Sequence, residues 1–432
     1  MIRGLPEETD PVATLLTRRR AKQSTDRAAN TAAMDPRVRE HSETLVDWSA
    51  RVESGDRVVV VVDEGSHDLA VAVAAALGER GATPAFVYES DEVQRAYQLA
   101  AADAAGGPGG GSEPPAFDEP THQLALYESA DAVLALRGGR NTAEGSDVPG
   151  EVGAAYARAN QAVREARMAT DWVSTIHPTR SLAQQAGMSF DAYRDFAYGA
   201  ILRDWASLAE EMAGLKELLD GGDEVRVVAR GPADGATIDG TEDAPATDLT
   251  MSIEGRTAVN SAASVAYGSH NLPSGEVFTA PVFDSVEGEV VFDLPRTFGG
   301  TTIRDARLRF EDGGVADFSA AAGEAALADV LDTDDGSRRL GELGVGTNRG
   351  IDRVTGNLLF DEKMAGTVHL ALGRAYADCL PEGETGNQSA VHVDLLVNMR
   401  RESGAAGVTR FEVDGEVVQR DGVFRWEDGF EG

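Results

Sequence analysis

The chain has one cysteine, Cys379, in 432 residues, so it can form no internal disulfide and no zinc ribbon. Lysine is nearly as scarce: Lys22, Lys216 and Lys363 are the full set, and the other basic residues are Arg. No apolar run approaches the roughly 18 residues of a membrane-spanning helix. The N-terminus (Met1-Ile2-Arg3-Gly4-Leu5-Pro6-Glu7-Glu8) has no apolar signal region. A soluble cytoplasmic protein is the expectation. Several motifs are also missing. No Gly-x-x-x-x-Gly-Lys-Ser/Thr exists, there is no His-Glu-x-x-His or Gly-x-Ser-x-Gly, and the glycines at 106–111 follow no strand and open no helix.

Carboxylates are abundant. The chain carries 73 acidic against 39 basic residues, a formal charge of -34, with only 6% aromatics. This balance, together with abundant Ala, Gly and Val, suits a halophilic protein working in concentrated salt, where self-repulsion is screened and charge still opposes aggregation. Nucleic acid is excluded as a partner because phosphate binding needs a basic face, and an anionic membrane would repel this surface. With acids as the background, a lone Asp or Glu says little. The seven His and three Lys are the informative letters.

Residues 1–33 are polar and Arg-rich with weak periodicity and read as a disordered extension before a helix opening at Met34-Asp35-Pro36. Met34 is therefore an alternative start to Met1. The expected fold is an α/β N-terminal domain over 34–222 with a mostly parallel sheet, and a β-rich α+β domain over 223–432. In the first, Arg57 to Asp63, Thr83 to Tyr88 and Ala132 to Arg137 read as strands around a helix from Leu69 to Arg80. Residues 151–220 read as helical, broken at Ile176-His177-Pro178-Thr179. A Gly/Pro-rich insertion occupies 105–120, and an Asp/Gly-rich one lies near 231–246. From about residue 250, alternating strands recur (Glu289 to Phe292, Ala306 to Phe310, Val315 to Phe318) with one helix, Glu324 to Leu331.

Two strands near the C-terminus carry the chemistry, Gly366 to Leu372 and Val391 to Val397. Alternation puts His392 and Asp394 on one face, with His369 able to sit opposite. Imidazole beside carboxylate on rigid, buried backbone suits a catalytic divalent metal. A histidine packed in a core and hydrogen-bonded to a neighbour would leave the same pattern. Glu276 follows a Pro-Ser-Gly turn and leads the apolar Val277-Phe278-Thr279-Ala280-Pro281, so a buried, partnered carboxylate competes with an exposed acid. Glu342 heads an apolar stretch in a Gly-rich segment whose glycines permit close backbone approach; a solvated loop acid fits equally. Lys363 sits in Asp361-Glu362-Lys363, either placed for a role or simply ion-paired. His270 reads as a supporting or an exposed residue, and Tyr376 as a packing side chain in the loop between the His strands.

Together, Asn271 to Pro281, Leu340-Gly341-Glu342, Asp361 to Gly373, His392-Val393-Asp394 and the helical segment from Pro178-Thr179 to Ser189 resemble the aminopeptidase T and aminopeptidase S family of two-metal aminopeptidases, over roughly residues 34–432. The resemblance implies that Glu276, Glu342, His369, His392 and Asp394 are metal ligands and Tyr376 a catalytic side chain. It also implies a homodimer acting on peptides with a free N-terminus. The aromatic usual between the last His and Asp is Val393 here.

Three carboxylates and two imidazoles suit two borderline divalent ions, Zn, Co or Mn, and one carboxylate would bridge them. Glu342 has two open roles, as a bridge or as a proton carrier. A two-metal amidase or phosphoesterase would use the same ligands. A non-catalytic small-molecule binder with structural His strands is the alternative outside enzymes.

Overall fold

The structure, a computed structural model, describes residues 34–105, 115–229, 246–298, 300–400 and 408–431. The extension 1–33 and most of the two insertions lie outside the described residues. The first described element is an α-helix over Pro36–Glu43, started by Pro36 in its first turn and by Asp35, whose side chain accepts from the Arg37 N–H.

The N-terminal region is α/β, as its strand–helix alternation requires. β1 (Arg57–Asp63), β2 (Thr83–Glu89), β3 (Ala132–Arg137) and β4 (Asp171–Ile176) are parallel, in the order β2-β1-β3-β4. The run of valines in β1 serves both faces of the sheet. Val58 and Val60 pack with Leu69, Val73 and Leu77 of the helix His67–Arg80, while Val59 and Val61 pack with Tyr127 and Val133 on the other side. Each fully buried side chain of this kind contributes about 1.5–3 kcal/mol.

The expected helical stretch 151–220, with its break at Ile176-His177-Pro178-Thr179, needs one correction: the interruption begins earlier and is a strand. Asp171–Ile176 is a strand of the sheet, flanked by helices Gly150–Ala159, Gln161–Met168, Arg180–Gln185, Phe190–Ile201 and Trp205–Gly221. Its sequence, Asp-Trp-Val-Ser-Thr-Ile, is too short to show a period beside such helices.

The C-terminal region is β-rich. β5 (Glu224–Ala229), β6 (Thr247–Ser252), β10 (Glu287–Phe292), β13 (Ala306–Glu311), β14 (Gly314–Ser319), β18 (Arg410–Val413), β19 (Glu416–Arg420) and β20 (Val423–Phe424) form an antiparallel sheet in the order β14-β13-β10-β6-β5-β18-β19-β20. β11 (Arg296–Phe298) and β12 (Thr301–Ile303) make a separate ribbon. β7 (Val259–Ser261), β9 (Glu276–Thr279), β15 (Leu340–Gly346), β16 (Thr367–Gly373) and β17 (His392–Asn398) form a second antiparallel sheet, ordered β17-β16-β15-β9-β7. Besides the expected helix Glu324–Leu331, a single turn of helix at Leu358–Asp361 leads into β16.

The remaining strand, β8 (Asn271–Leu272), joins β4 at the edge of the parallel sheet. Three residues later the chain enters β9 at Glu276, so the edge of one sheet feeds directly into another. The two antiparallel sheets share one core. Val227, Leu249, Phe292, Leu308, Phe310 and Phe411 of the larger meet Leu343, Val345, Leu370, Leu372, Val393 and Val397 of the smaller in one buried cluster.

Candidate metal centre

The five-stranded antiparallel sheet has two chemically different faces, set by its period of two. One face carries Val277, Leu343, Val345, Val368, Leu370, Leu372, Val393, Leu395 and Val397, all buried in the common core. The other carries Glu276 and Phe278 from β9, Glu342, Gly344 and Gly346 from β15, His369 and Ala371 from β16, and His392 and Asp394 from β17. Small residues separate the polar ones, which leaves room for imidazoles and carboxylates to lean together.

A β-bulge lies immediately before Glu342. Leu340 pairs with Leu372 and Glu342 with Ala371, so Gly341 is an extra residue. Without that extra residue Leu340 would fall opposite Gly373 on the polar face; with it Leu340 packs beside Leu372 in the apolar core, while Glu342, alternating with Leu343, stays on the polar face. A Cβ on Gly341 would stand 2.4 Å from the Gly373 carbonyl oxygen, so the bulge requires glycine.

All five expected ligands converge. His369 Nε2 lies 3.0 Å from Glu342 Oε1 and 3.6 Å from Glu276 Oε2. His392 Nε2 lies 3.5 Å from Glu342 Oε2 and 3.5 Å from Asp394 Oδ1. The Glu342 carboxylate thus sits between the two imidazoles, one oxygen toward each. Donor atoms of Glu342, His392 and Asp394 all fall within 4.8 Å of one another. Glu276, Glu342, His369 and Asp394 are buried, and His392 is partly so.

The electrostatics are those of a cation site. Burial alone would discharge the imidazoles, yet the surrounding carboxylates outweigh it and raise His369 and His392 to about 9. Burial pushes the pKa of Glu276 and Glu342 upward. It acts the same way on Asp394, but His392 and His369 overcome it and hold that carboxyl at about 2. The carboxylates that keep a proton on each imidazole would attract a divalent cation in its place. Two observations fit such an ion. Glu342 Oε2 is buried without a hydrogen-bond partner, and His392 Nδ1 donates to the Arg374 carbonyl at 2.8 Å, turning Nε2 toward the carboxylates.

Tyr376 stands at the rim, 42% exposed, its ring 4.8 Å from that of His392 and 5.9 Å from Phe278. Burial of its hydroxyl region, with Glu342 and Asp394 nearby, raises its pKa and keeps the phenol protonated. Lys363 is fully buried and ion-paired with Glu362 and, at 3.3 Å, with Glu276. Asp361 instead accepts from the Thr355 and Gly356 N–H groups. His270 lies apart from this group: its ring stacks on Trp172 at 4.6 Å and Nδ1 donates to the Trp172 carbonyl. Glu362 belongs to the cluster and was not singled out from sequence. Its signal was the Asp361-Glu362-Lys363 triplet, where an acid beside a lysine reads as an ordinary ion pair.

The sequence matches the family described as thermophilic metalloprotease (M29) over residues 34–424. The chain belongs to the M29 metalloprotease family. Among its curated relatives, aminopeptidase T of Thermus thermophilus is 39% identical over 169 residues, covering 35% of this chain and 41% of that one. Aminopeptidase 2 of Geobacillus stearothermophilus is 38% identical over 36% of this chain and 39% of its own length. Aminopeptidase AmpS of Bacillus subtilis is 34% identical over 42% and 47% respectively. The chain therefore spans less than half the length of the curated relatives it matches. The solved structure of wild-type AmpT from Thermus thermophilus superposes with a TM-score of 0.71 at 25% identity, covering 90% of this chain and 99% of that one. It has the same arrangement of parallel-sheet α/β and β-rich regions. Membership in a metalloprotease family implies a divalent metal cofactor, and Glu342, His392 and Asp394 form a cluster able to hold a metal ion. Among the described residues, no helix is long and apolar enough to cross a membrane.

Proposed function

We propose that this chain is a metal-dependent aminopeptidase that releases N-terminal amino acids from peptides. The observation that carries the reading is the Glu342 carboxylate set between His369 and His392, with Glu276 and Asp394 flanking it. Glu276, Glu342 and His369 would hold one divalent ion, and Glu342, His392 and Asp394 a second, each Zn, Co or Mn. Such ions supply a nucleophile from water near neutral pH, polarisation of the scissile carbonyl, and a seat for the free α-amine of a peptide.

The protein's own groups do the rest. The position of Glu342 between both imidazoles favours a bridging role over a proton-carrying one. The hydrogen bond from His392 to the Arg374 carbonyl fixes the orientation of that imidazole before substrate arrives. Tyr376, protonated and packed on His392, is the donor for the oxyanion of the tetrahedral intermediate. Residues 34–222 form the α/β domain that walls the site and 223–432 the domain that carries the ligands. A homodimer, a cytoplasmic location and adaptation to concentrated salt belong to the same proposal. The acid excess supports the last of these, and the family resemblance supports the dimer.

The test is hydrolysis of aminoacyl-nitroanilides in molar salt, with and without chelator and with Co, Zn or Mn restored. Chelator-sensitive, metal-restored release supports the proposal. Full activity after exhaustive chelation, or no activity with any of the metals, refutes it.

A further inference from the structure

We propose that Lys363 is a positioning residue, pinning one oxygen of Glu276 so that this carboxylate offers a cation only the other. The inference rests on the metal-site reading above and concerns how many donor atoms the protein gives the ion.

The Lys363 ammonium is fully buried and contacts Glu276 Oε1 at 3.3 Å, while Glu276 Oε2 faces His369 Nε2 at 3.6 Å. The two oxygens of one carboxylate are thus divided between a fixed ammonium and the imidazole side of the site. On its other side Lys363 pairs with Glu362, so the ammonium is held from two directions. Both ends of the contact are anchored by one residue. Asn348 donates its N–H to the Lys363 carbonyl at 2.9 Å, and its Nδ2 donates to the Ser274 carbonyl, two residues before Glu276, at 2.9 Å. A chain that uses Arg almost everywhere places one of its three lysines here. A compact ammonium fits between two carboxylate oxygens where a planar guanidinium would need a wider gap.

The consequence is chemical. A carboxylate chelating through both oxygens fills an additional coordination position, whereas one held to a single oxygen leaves that position for substrate. The buried positive charge also opposes cation binding, so Lys363 weakens metal affinity while keeping the ion open and electron-poor.

The experiment compares wild type with Lys363→Met, titrating Co2+ into metal-free protein and following visible d–d absorption per bound ion. Loss of the ammonium is expected to tighten Co2+ binding about tenfold. Absorption per ion should fall as Glu276 chelates and the coordination number rises, and kcat should drop. A merely structural lysine predicts the opposite: looser binding, with an unchanged spectrum for each ion still bound. Unchanged or weaker affinity, or an unchanged spectrum, overturns the inference. If Lys363→Met fails to fold, Lys363→Leu removes charge and donor alike, and the same signs apply. If wild type takes up no Co2+, the metal-site reading itself fails, and this inference with it.

Discussion

Gly344 lies directly beneath the His369 ring: a Cβ built on it would stand 2.0 Å from Nε2 and 2.2 Å from Cε1. The imidazole therefore rests on bare backbone, and that contact fixes its height above the sheet. Gly344→Ala must displace His369 from Glu342 and Glu276. The expected result is loss of metal binding and of peptidase activity, with overpacking costing about 1–3 kcal/mol of stability. Metal content by mass spectrometry and a denaturant midpoint measure both. Normal metal content in Gly344→Ala would refute this account of the ring's position.

His392→Ala removes a proposed ligand from the edge strand β17 without opening the apolar face of the sheet. Activity is expected to fall more than about a hundredfold, while the circular dichroism spectrum of the metal-free protein stays that of wild type. Unchanged hydrolysis of an aminoacyl-nitroanilide would remove His392 from the site.

Tyr376→Phe keeps the ring on His392 and Phe278 and deletes only the hydroxyl. If that hydroxyl meets charge developing in the transition state, kcat should fall about 10²–10³-fold with little change in KM. A rise in KM at constant kcat would make Tyr376 a substrate-binding residue instead.

On the first helix, His41 couples the stability of the N-terminal region to pH. It is fully buried, bonded through Nε2 to Thr175 Oγ1 at 2.6 Å and packed edge-on against Tyr198. Burial first, and then nearby His177, depress its pKa to about 3. The unfolded chain therefore binds a proton that the folded one refuses. His41 leaves stability intact above its unfolded pKa of about 6.5 and lowers it by up to about 1.4 kcal/mol per unit as pH falls toward 3. Comparing His41→Gln with wild type by denaturant unfolding at pH 7.5 and 5.5 isolates the contribution. The variant should lose less stability on acidification, and equal losses would count against the assignment.

Much of the site could be read in the letters because strand alternation is local. His392 and Asp394 share a face by spacing alone, and β16 and β17 lie where alternation places them. The valine run of β1 and the helix after it were equally plain. What stayed hidden depended on partners distant in sequence. The bulge at Gly341 exists only in the register of β15 against β16. β8 is two residues long and is a strand only because β4 lies beside it. β4 itself carries its six residues between helices, with no period of its own. Glu362 was obscured by its neighbour, since the step from Lys363 to Glu276 crosses 87 positions of sequence that only the fold brings together.

The central claim, a pair of cations sharing Glu342, is tested most directly by anomalous diffraction from crystals grown with Zn2+ in molar salt. Two peaks should flank the Glu342 carboxylate, one beside His369 and Glu276, the other beside His392 and Asp394. A single ion distant from Glu342, or no anomalous density at this face of the sheet, would contradict it.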